Sequence, residues 1–222
     1  MQEYRSAALA GLLLSAGLAL GSLFLPRPVA AWDVERVQEA AAQYGPRTLA
    51  AARQLMQLVE RLGGQDEVQR LRALNDFFNQ RIAFREDMQV WGKVDYWASP
   101  LELLDKGQGD CEDYAIAKYF SLLATGMAES RLRLVYVRAL LDGRPQAHMV
   151  LAYYAQPDAE PLILDNLQPE LKPASARPDL APVFSFNSEG LWQGVGATSA
   201  GSAVARLSIW REALAKIRAE GF

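Results

Sequence analysis

The chain has 222 residues, half of them hydrophobic and 22% charged, with a formal net charge of −3. That composition sustains one globular domain of ordinary size with a real core. A slightly acidic chain carries no basic footprint for nucleic acid, which excludes that class of partner.

Residues 1–31 stand apart from the rest. Arg5 precedes an apolar run from Ala7 to Leu25, followed by Pro26-Arg27-Pro28 and then Val29-Ala30-Ala31. Charged, apolar and small residues in that order read as a signal peptide cut before Trp32. The same run is nearly long enough to span a bilayer, so an uncleaved N-terminal anchor is the other reading. Either way the folded part is exported, and the chain divides into a leader over 1–31 and one domain over 32–222.

Past the leader, apolar spacing predicts a helix over 33–44 with Trp32, Val34, Val37, Ala40, Ala41 and Tyr44 on one face. Gly45-Pro46 breaks it, and Thr48 is expected to cap a second helix ending at Gly63-Gly64. Asp66 opens a third, with Val68, Leu71, Leu74, Phe77 and Phe78 as its buried stripe. Residues 81–97 lack periodicity and read as a long ordered loop in which Asp87, Asp95 and Trp97 stand out; such loops often carry function. Ser99-Pro100 starts a short helix that Gly107 ends. A helix is then expected over about 110–124.

Strands follow over 132–141, 148–154 and 161–167, separated by turns at Asp142-Gly143 and Gln156-Pro157-Asp158. Residues 168–182 hold four prolines and read as an extended surface segment, with one more strand over 183–186. Residues 190–201 read as a Gly/Ser/Thr-rich loop, and residues 203–219 as a C-terminal helix burying Leu207, Trp210, Leu214 and Ile217. Helices first and an antiparallel sheet afterwards make the fold class α+β.

Cys111 is the only cysteine and His148 the only histidine. Glycines before Cys111 and an Ala/Ile/Lys/Tyr run after it place the thiol in the first turn of a helix. Unpaired backbone N–H groups and the positive end of the helix dipole favour a thiolate there. A lone Cys with a lone His elsewhere is the footprint of a thiol nucleophile and its base. The plainer alternative is a small buried hydrophobe and a histidine on a polar edge. A single cysteine forms no internal disulfide, so an exported chain carries it free.

Symmetry about the Gln156-Pro157 turn sets Asp165 opposite or nearly opposite His148 across a hairpin. There a carboxylate fixes the imidazole tautomer, as the acid of a catalytic triad does. Taken alone, Asp165 also reads as a strand-end residue starting an Asp-Asn turn.

Asp110, Glu112 and Asp113 bracket the nucleophile, and negative neighbours oppose thiolate formation. They either complement the helix dipole or collect a hard cation such as calcium, with Asp95 and loop carbonyls as further ligands.

Two blocks, Asp95-Tyr96-Trp97-Ala98-Ser99-Pro100-Leu101-Glu102 and Gly109-Asp110-Cys111-Glu112-Asp113-Tyr114-Ala115-Ile116-Ala117-Lys118-Tyr119, resemble the bacterial transglutaminase-like cysteine proteases of the LapG type. Residues 146–151 and 162–166 are similar to that family's His and Asp stretches, in the same chain order. The resemblance covers about residues 68–166. It implies a papain-like core with Cys111 as nucleophile, His148 as general base and Asp165 as orienting acid. It implies calcium beside the active site, carried over to Asp110, Glu112 and Asp113, with Asp95 as a further ligand, and an aromatic, Trp97, near the oxyanion hole.

The resemblance also implies work in the periplasm. Its substrate would be the N-terminal region of a large surface adhesin, cut at a paired-alanine site. An inner-membrane receptor that senses cyclic di-GMP would sequester the protease. Acyl transfer to an amine and an inactive receptor-binding scaffold are the alternative functions.

Overall fold

Three helices, each started by a recognisable cap, lead the chain. The computed structural model describes residues 32–196 and 198–222; the leader over 1–31, with its cleavage or anchoring, lies outside them. Helix α1 (Val34–Tyr44) begins at Asp33, whose carboxylate accepts from the Arg36 N–H, and buries Val37 and Ala41. Helix α2 (Pro46–Leu62) has Pro46 in its first turn and Gly45, at φ 113°, as its cap. Thr48 is therefore not the cap expected from sequence. It is buried inside the helix and donates to Asp105 Oδ1 at 2.8 Å. Helix α3 (Glu67–Arg81) starts where Asp66 accepts from the Gln69 N–H.

The stretch expected to be a loop carries two short elements, β1 (Ala83–Phe84) and α4 (Asp87–Val90). Two residues and one turn are too short to show a period. Helix α5 (Pro100–Lys106) has a full capping box between Ser99 and Glu102 and ends at Gly107 in the left-handed region, φ 62°. Strand β2 (Gln108–Gly109) then pairs in parallel with β1, Phe84 opposite Gly109. That pairing delivers the chain to α6 (Cys111–Ala124), whose middle is buried on almost every side.

Strands β3 (Leu132–Leu141) and β4 (Arg144–Tyr153) form a long hairpin. Both tip residues, Asp142 and Gly143, have positive φ, 51° and 74°, as a two-residue turn matched to strand twist demands. Strand β5 (Leu162–Leu164) pairs with β4 only over Leu151–Tyr153, with Leu151 opposite Leu164. That register carries Asp165 opposite Val150, two residues from His148. The pair is thus diagonal on one face, because the pairing is centred between Pro157 and Asp158, one residue beyond the Gln156-Pro157 centre read from the sequence.

The segment from 168 to 182, expected to be extended, contains β6 (Lys172–Pro173), a 3₁₀ turn over Ala174–Ala176 and the start of β7 (Leu180–Phe186). The 190–201 stretch is not wholly loop, since β8 (Leu191–Gln193) and β9 (Ser199–Gly201) add to the sheet edge. Spatial order is β6-β5-β4-β3-β7-β8-β9. The expected single C-terminal helix is two, α7 (Ala203–Arg206) and α8 (Ser208–Ala219), parted at Leu207 in extended conformation. A one-residue break hardly disturbs the spacing of apolar residues, so the period alone could not show it.

The sheet is buried on both faces. Leu134, Met149, Leu151, Tyr153 and Phe186 join the main core with α6 and α3, and Val135, Val137, Ala139, Val150 and Ala152 form a second cluster behind. Each fully buried aliphatic side chain there contributes roughly 1.5–3 kcal/mol. Helices on one side of an antiparallel sheet give the α+β class read from the sequence. The two ends of the described domain meet: the Asp33 N–H donates to Gly221 O at 2.9 Å, and the Trp32 and Phe222 rings stand edge to face at 4.8 Å.

Candidate active site

Cys111 occupies the first helical position of α6, directly after Asp110 at the cap. The approach is tight. A Cβ built on Gly109 would lie 2.5 Å from Asp113 Oδ2 and 2.6 Å from Leu103 Cδ1, so only glycine fits between α5 and α6. Gly109→Ala is expected to destabilise the fold by about 1–3 kcal/mol through overpacking, read as a lower urea midpoint. An unchanged midpoint would show that this junction yields.

The Cys111 thiol is partly exposed and lies 3.0 Å from Glu112 Oε2, as donor. Burial, then the Glu112 and Asp110 carboxylates, push it well above its ordinary pKa, while the Met149 backbone N–H pulls the other way. The sulfur therefore sits against the backbone of the residue after His148. Helix-start donors favour the thiolate, and the adjacent acids oppose it more strongly.

His148 is buried on β4, and its Nε2 lies 2.8 Å from Asp165 Oδ1. Asp165 Oδ1 also accepts from the Leu167 N–H at 3.0 Å, and Oδ2 accepts from Arg177 Nη2 at 2.8 Å. Burial opposes charge on Asp165, but His148, the Leu167 N–H and Arg177 outweigh it and bring its carboxyl down to about 2. Asp165 is thus an anion that uses one oxygen for the imidazole and the other for the guanidinium. With Nε2 turned to Asp165, Nδ1 is the ring nitrogen left for a thiol or substrate.

The acids divide into three environments. Asp87, Asp110 and Glu112 each offer an oxygen within 4.8 Å of the others. Asp113 is not in that group: its Oδ1 accepts from the Ala98 N–H at 2.7 Å, tying the 95–99 segment to α6, while its Oδ2 is buried without a protein partner. Asp95 is exposed on the loop, apart from the cluster. So the structure brings Asp110 and Glu112 together with Asp87, and leaves Asp113 and Asp95 outside.

This trio fits a hard cation. Burial, then Glu112, pushes Asp110 up to about 9, and burial pushes Glu112 up to about 7. Oδ1 of Asp110 and Oδ1 of Asp87 are buried without a protein partner. Although Asp110 is the cap residue of α6, its side chain makes no cap hydrogen bond. Three carboxylates held together, with bare buried oxygens, are an oxygen-rich donor set of the kind calcium takes.

Two participants were not assigned from sequence. Asp87 stood out in its loop, but nothing in the spacing joins it to residues 110–112. The link is made by α4, where the Tyr96 N–H donates to Asp87 Oδ2. Arg177 lies in a proline-rich stretch that gave no signal. Trp97 stacks on Phe186 at 5.7 Å, and Lys216 Nζ donates to its carbonyl.

A thiol at a helix start against a strand bearing a carboxylate-paired histidine is the layout of a papain-like cysteine hydrolase. The chain belongs to the bacterial transglutaminase-like cysteine proteinases, whose family model matches residues 50–180. Among solved structures it is similar to LapG of Legionella pneumophila, at 39% identity and TM-score 0.72, covering 86% of this chain and 99% of that one. A calcium-bound form of that protein matches at 40% identity and TM-score 0.71, over 83% of this chain and 98% of that one. An EGTA-treated form matches at 39% and 0.75, over 86% and 100%. No curated protein matches.

Proposed function

We propose that this cysteine protease is a calcium-dependent endopeptidase of the periplasm that cuts the N-terminal region of a large surface adhesin at a paired-alanine site. The observation that carries the catalytic part is the 2.8 Å His148–Asp165 pair on the strand whose Met149 N–H reaches the helix-start thiol. His148 Nδ1 takes the Cys111 proton, and the sulfur attacks the scissile carbonyl. Backbone N–H groups at the start of α6 face the oxyanion. The imidazolium, held by Asp165, gives its proton to the leaving amine, and water then hydrolyses the thioester through the same base.

Asp87, Asp110 and Glu112 would hold the calcium, and Asp113 would hold the 95–99 segment behind them. A bound cation offsets the negative field that these acids impose on the thiol. The calcium-bound and EGTA-treated forms of the Legionella protein support this reading. The leader over 1–31 supports export, and no helix among the described residues is long and apolar enough to cross a membrane. Control by an inner-membrane receptor that senses cyclic di-GMP completes the proposal.

Incubating the purified protein with an adhesin's N-terminal segment, with and without calcium, tests it. A single calcium-dependent cut between paired alanines, mapped by mass spectrometry, is the expected result. Cleavage elsewhere would overturn the specificity, and no cleavage in calcium would overturn the substrate.

A further inference from the structure

Arg177 is buried against the acid of the proposed triad, and the reaction as described gives it no task. Its Nη2 is shared between Asp165 Oδ2 at 2.8 Å and Asp179 Oδ2 at 2.7 Å, and its Nε donates to Asp179 Oδ1 at 3.0 Å. The backbone around it is pinned as well. The Arg177 N–H donates to Ala174 O, the Leu180 N–H to Arg177 O, and the Leu140 N–H to Asp179 O at 2.8 Å. The guanidinium is thus fixed to β3 and β7 before it reaches the carboxylate.

Resting on the triad reading, we infer that Arg177 is a positioning residue: it holds the Asp165 carboxylate ionised and oriented so that His148 stays in its Nε2–H tautomer. Without Arg177, Oδ2 of Asp165 would be a buried charged oxygen with no donor. Desolvation would then favour a protonated acid. A neutral carboxyl neither steadies an imidazolium nor dictates which nitrogen keeps the proton.

The other charged groups around Asp165 do not replace the guanidinium. Lys118 of α6 is buried and acts on Asp165 through space, but burial pushes its ammonium down to about 7, and it also feels Asp76 of α3. Asp179 adds negative charge on the far side of Arg177. Asn79 of α3 holds only the Asp165 backbone carbonyl, at 2.8 Å. The fork of Arg177 is the one cation in hydrogen-bond contact with the carboxylate among the described residues.

The single histidine makes the tautomer measurable without a substrate. In ¹⁵N-histidine-labelled full chain, one imidazole reports its tautomer directly. The wild type is expected to carry its proton on Nε2. Arg177→Gln should mix the tautomers and lower kcat on the cleavable adhesin segment at least tenfold, with KM within about twofold. Arg177→Lys should recover part of both, because it restores the charge without the fork.

Asp179→Asn, which weakens the ion pair on the far side of Arg177 but leaves Asp165 its guanidinium, should keep the wild-type tautomer and kcat. Should Arg177→Gln fail to fold, Arg177→Lys against Asp179→Asn decides. Equal losses in those two would make Arg177 a structural tie and overturn the inference. Wild-type tautomer and kcat in the Arg177 variants would overturn it too, provided Asp165→Asn disturbs both. If Asp165→Asn also changes neither, the triad reading itself fails.

Discussion

Cys111→Ala is expected to leave no measurable cleavage, a fall on the order of 10⁴–10⁶-fold, while the protein stays folded. The size follows from the way a nucleophile, its base and its orienting acid act as a unit, so that removing one member forfeits most of what all three supply. Folding should survive, since the thiol is partly exposed and lies at the edge of the core rather than inside it. Losing it should cost no more than about 1 kcal/mol. The measurement is a cleavage time course beside a urea melt of the same preparation. Residual cleavage near the wild-type rate would remove Cys111 from the mechanism. An inactive scaffold, by contrast, predicts that wild type and variant behave alike.

Chelation should have an effect of comparable size, and its pH dependence is fixed in sign. In the metal-free protein Asp110 and Glu112 are raised to about 9 and about 7, from ordinary values of 3.8 and 4.5. A carboxyl raised on folding is favourable when protonated. Its contribution is fully present below the unfolded pKa and is lost as the pH rises through the folded one. Metal-free protein should therefore lose Tm steadily between about pH 5 and pH 9, whereas calcium-loaded protein should not.

At neutral pH, calcium at a hundred times its Kd should contribute about 2.7 kcal/mol, a rise of roughly 5–10 °C for a domain of this size. Asp110→Asn and Asp87→Asn should shrink that rise and abolish cleavage with Cys111 intact, and Asp95→Asn should do neither. Magnesium, which demands a strict octahedron, should restore activity poorly. Activity that persists in excess chelator would end the calcium proposal.

The elements that sequence reading placed well are those whose signal is local. Asp66 before α3, Ser99-Pro100 before α5 and Asp142-Gly143 between β3 and β4 each fix the backbone within a few residues. The bounds of β3 were read correctly because branched and apolar residues fill it without a break. What escaped depends on partners far along the chain. Strands β8 and β9 exist because β7 offers an edge, and Gly45 displaces Thr48 as a cap because Asp105 claims the hydroxyl.

The site divides the same way. Cys111 and His148 were legible as singletons, and Asp165 from a hairpin whose true register differs by two residues. The cation cluster was half legible. Asp110 and Glu112 announce themselves by flanking Cys111, but successive residues of a helix point in different directions, which separates Glu112 from Asp113. Asp87 and Arg177 arrive from 23 and 66 residues away from Asp110 and Cys111 (110 − 87 and 177 − 111), over connections with no period to follow.

The meeting of Trp32 with Phe222 makes the domain a ring with one seam. Joining those ends through a few residues would close it at little entropic cost, because folding already holds them together. The ring could then be opened at the exposed Asp142-Gly143 tip, where new ends disturb only a two-residue turn. Read from that opening, the chain order of the key residues becomes His148, Asp165, Cys111 instead of Cys111, His148, Asp165. The linear order that makes the sequence recognisable is thus a matter of where the ring is cut, and the chemistry depends only on the arrangement the closed ring imposes.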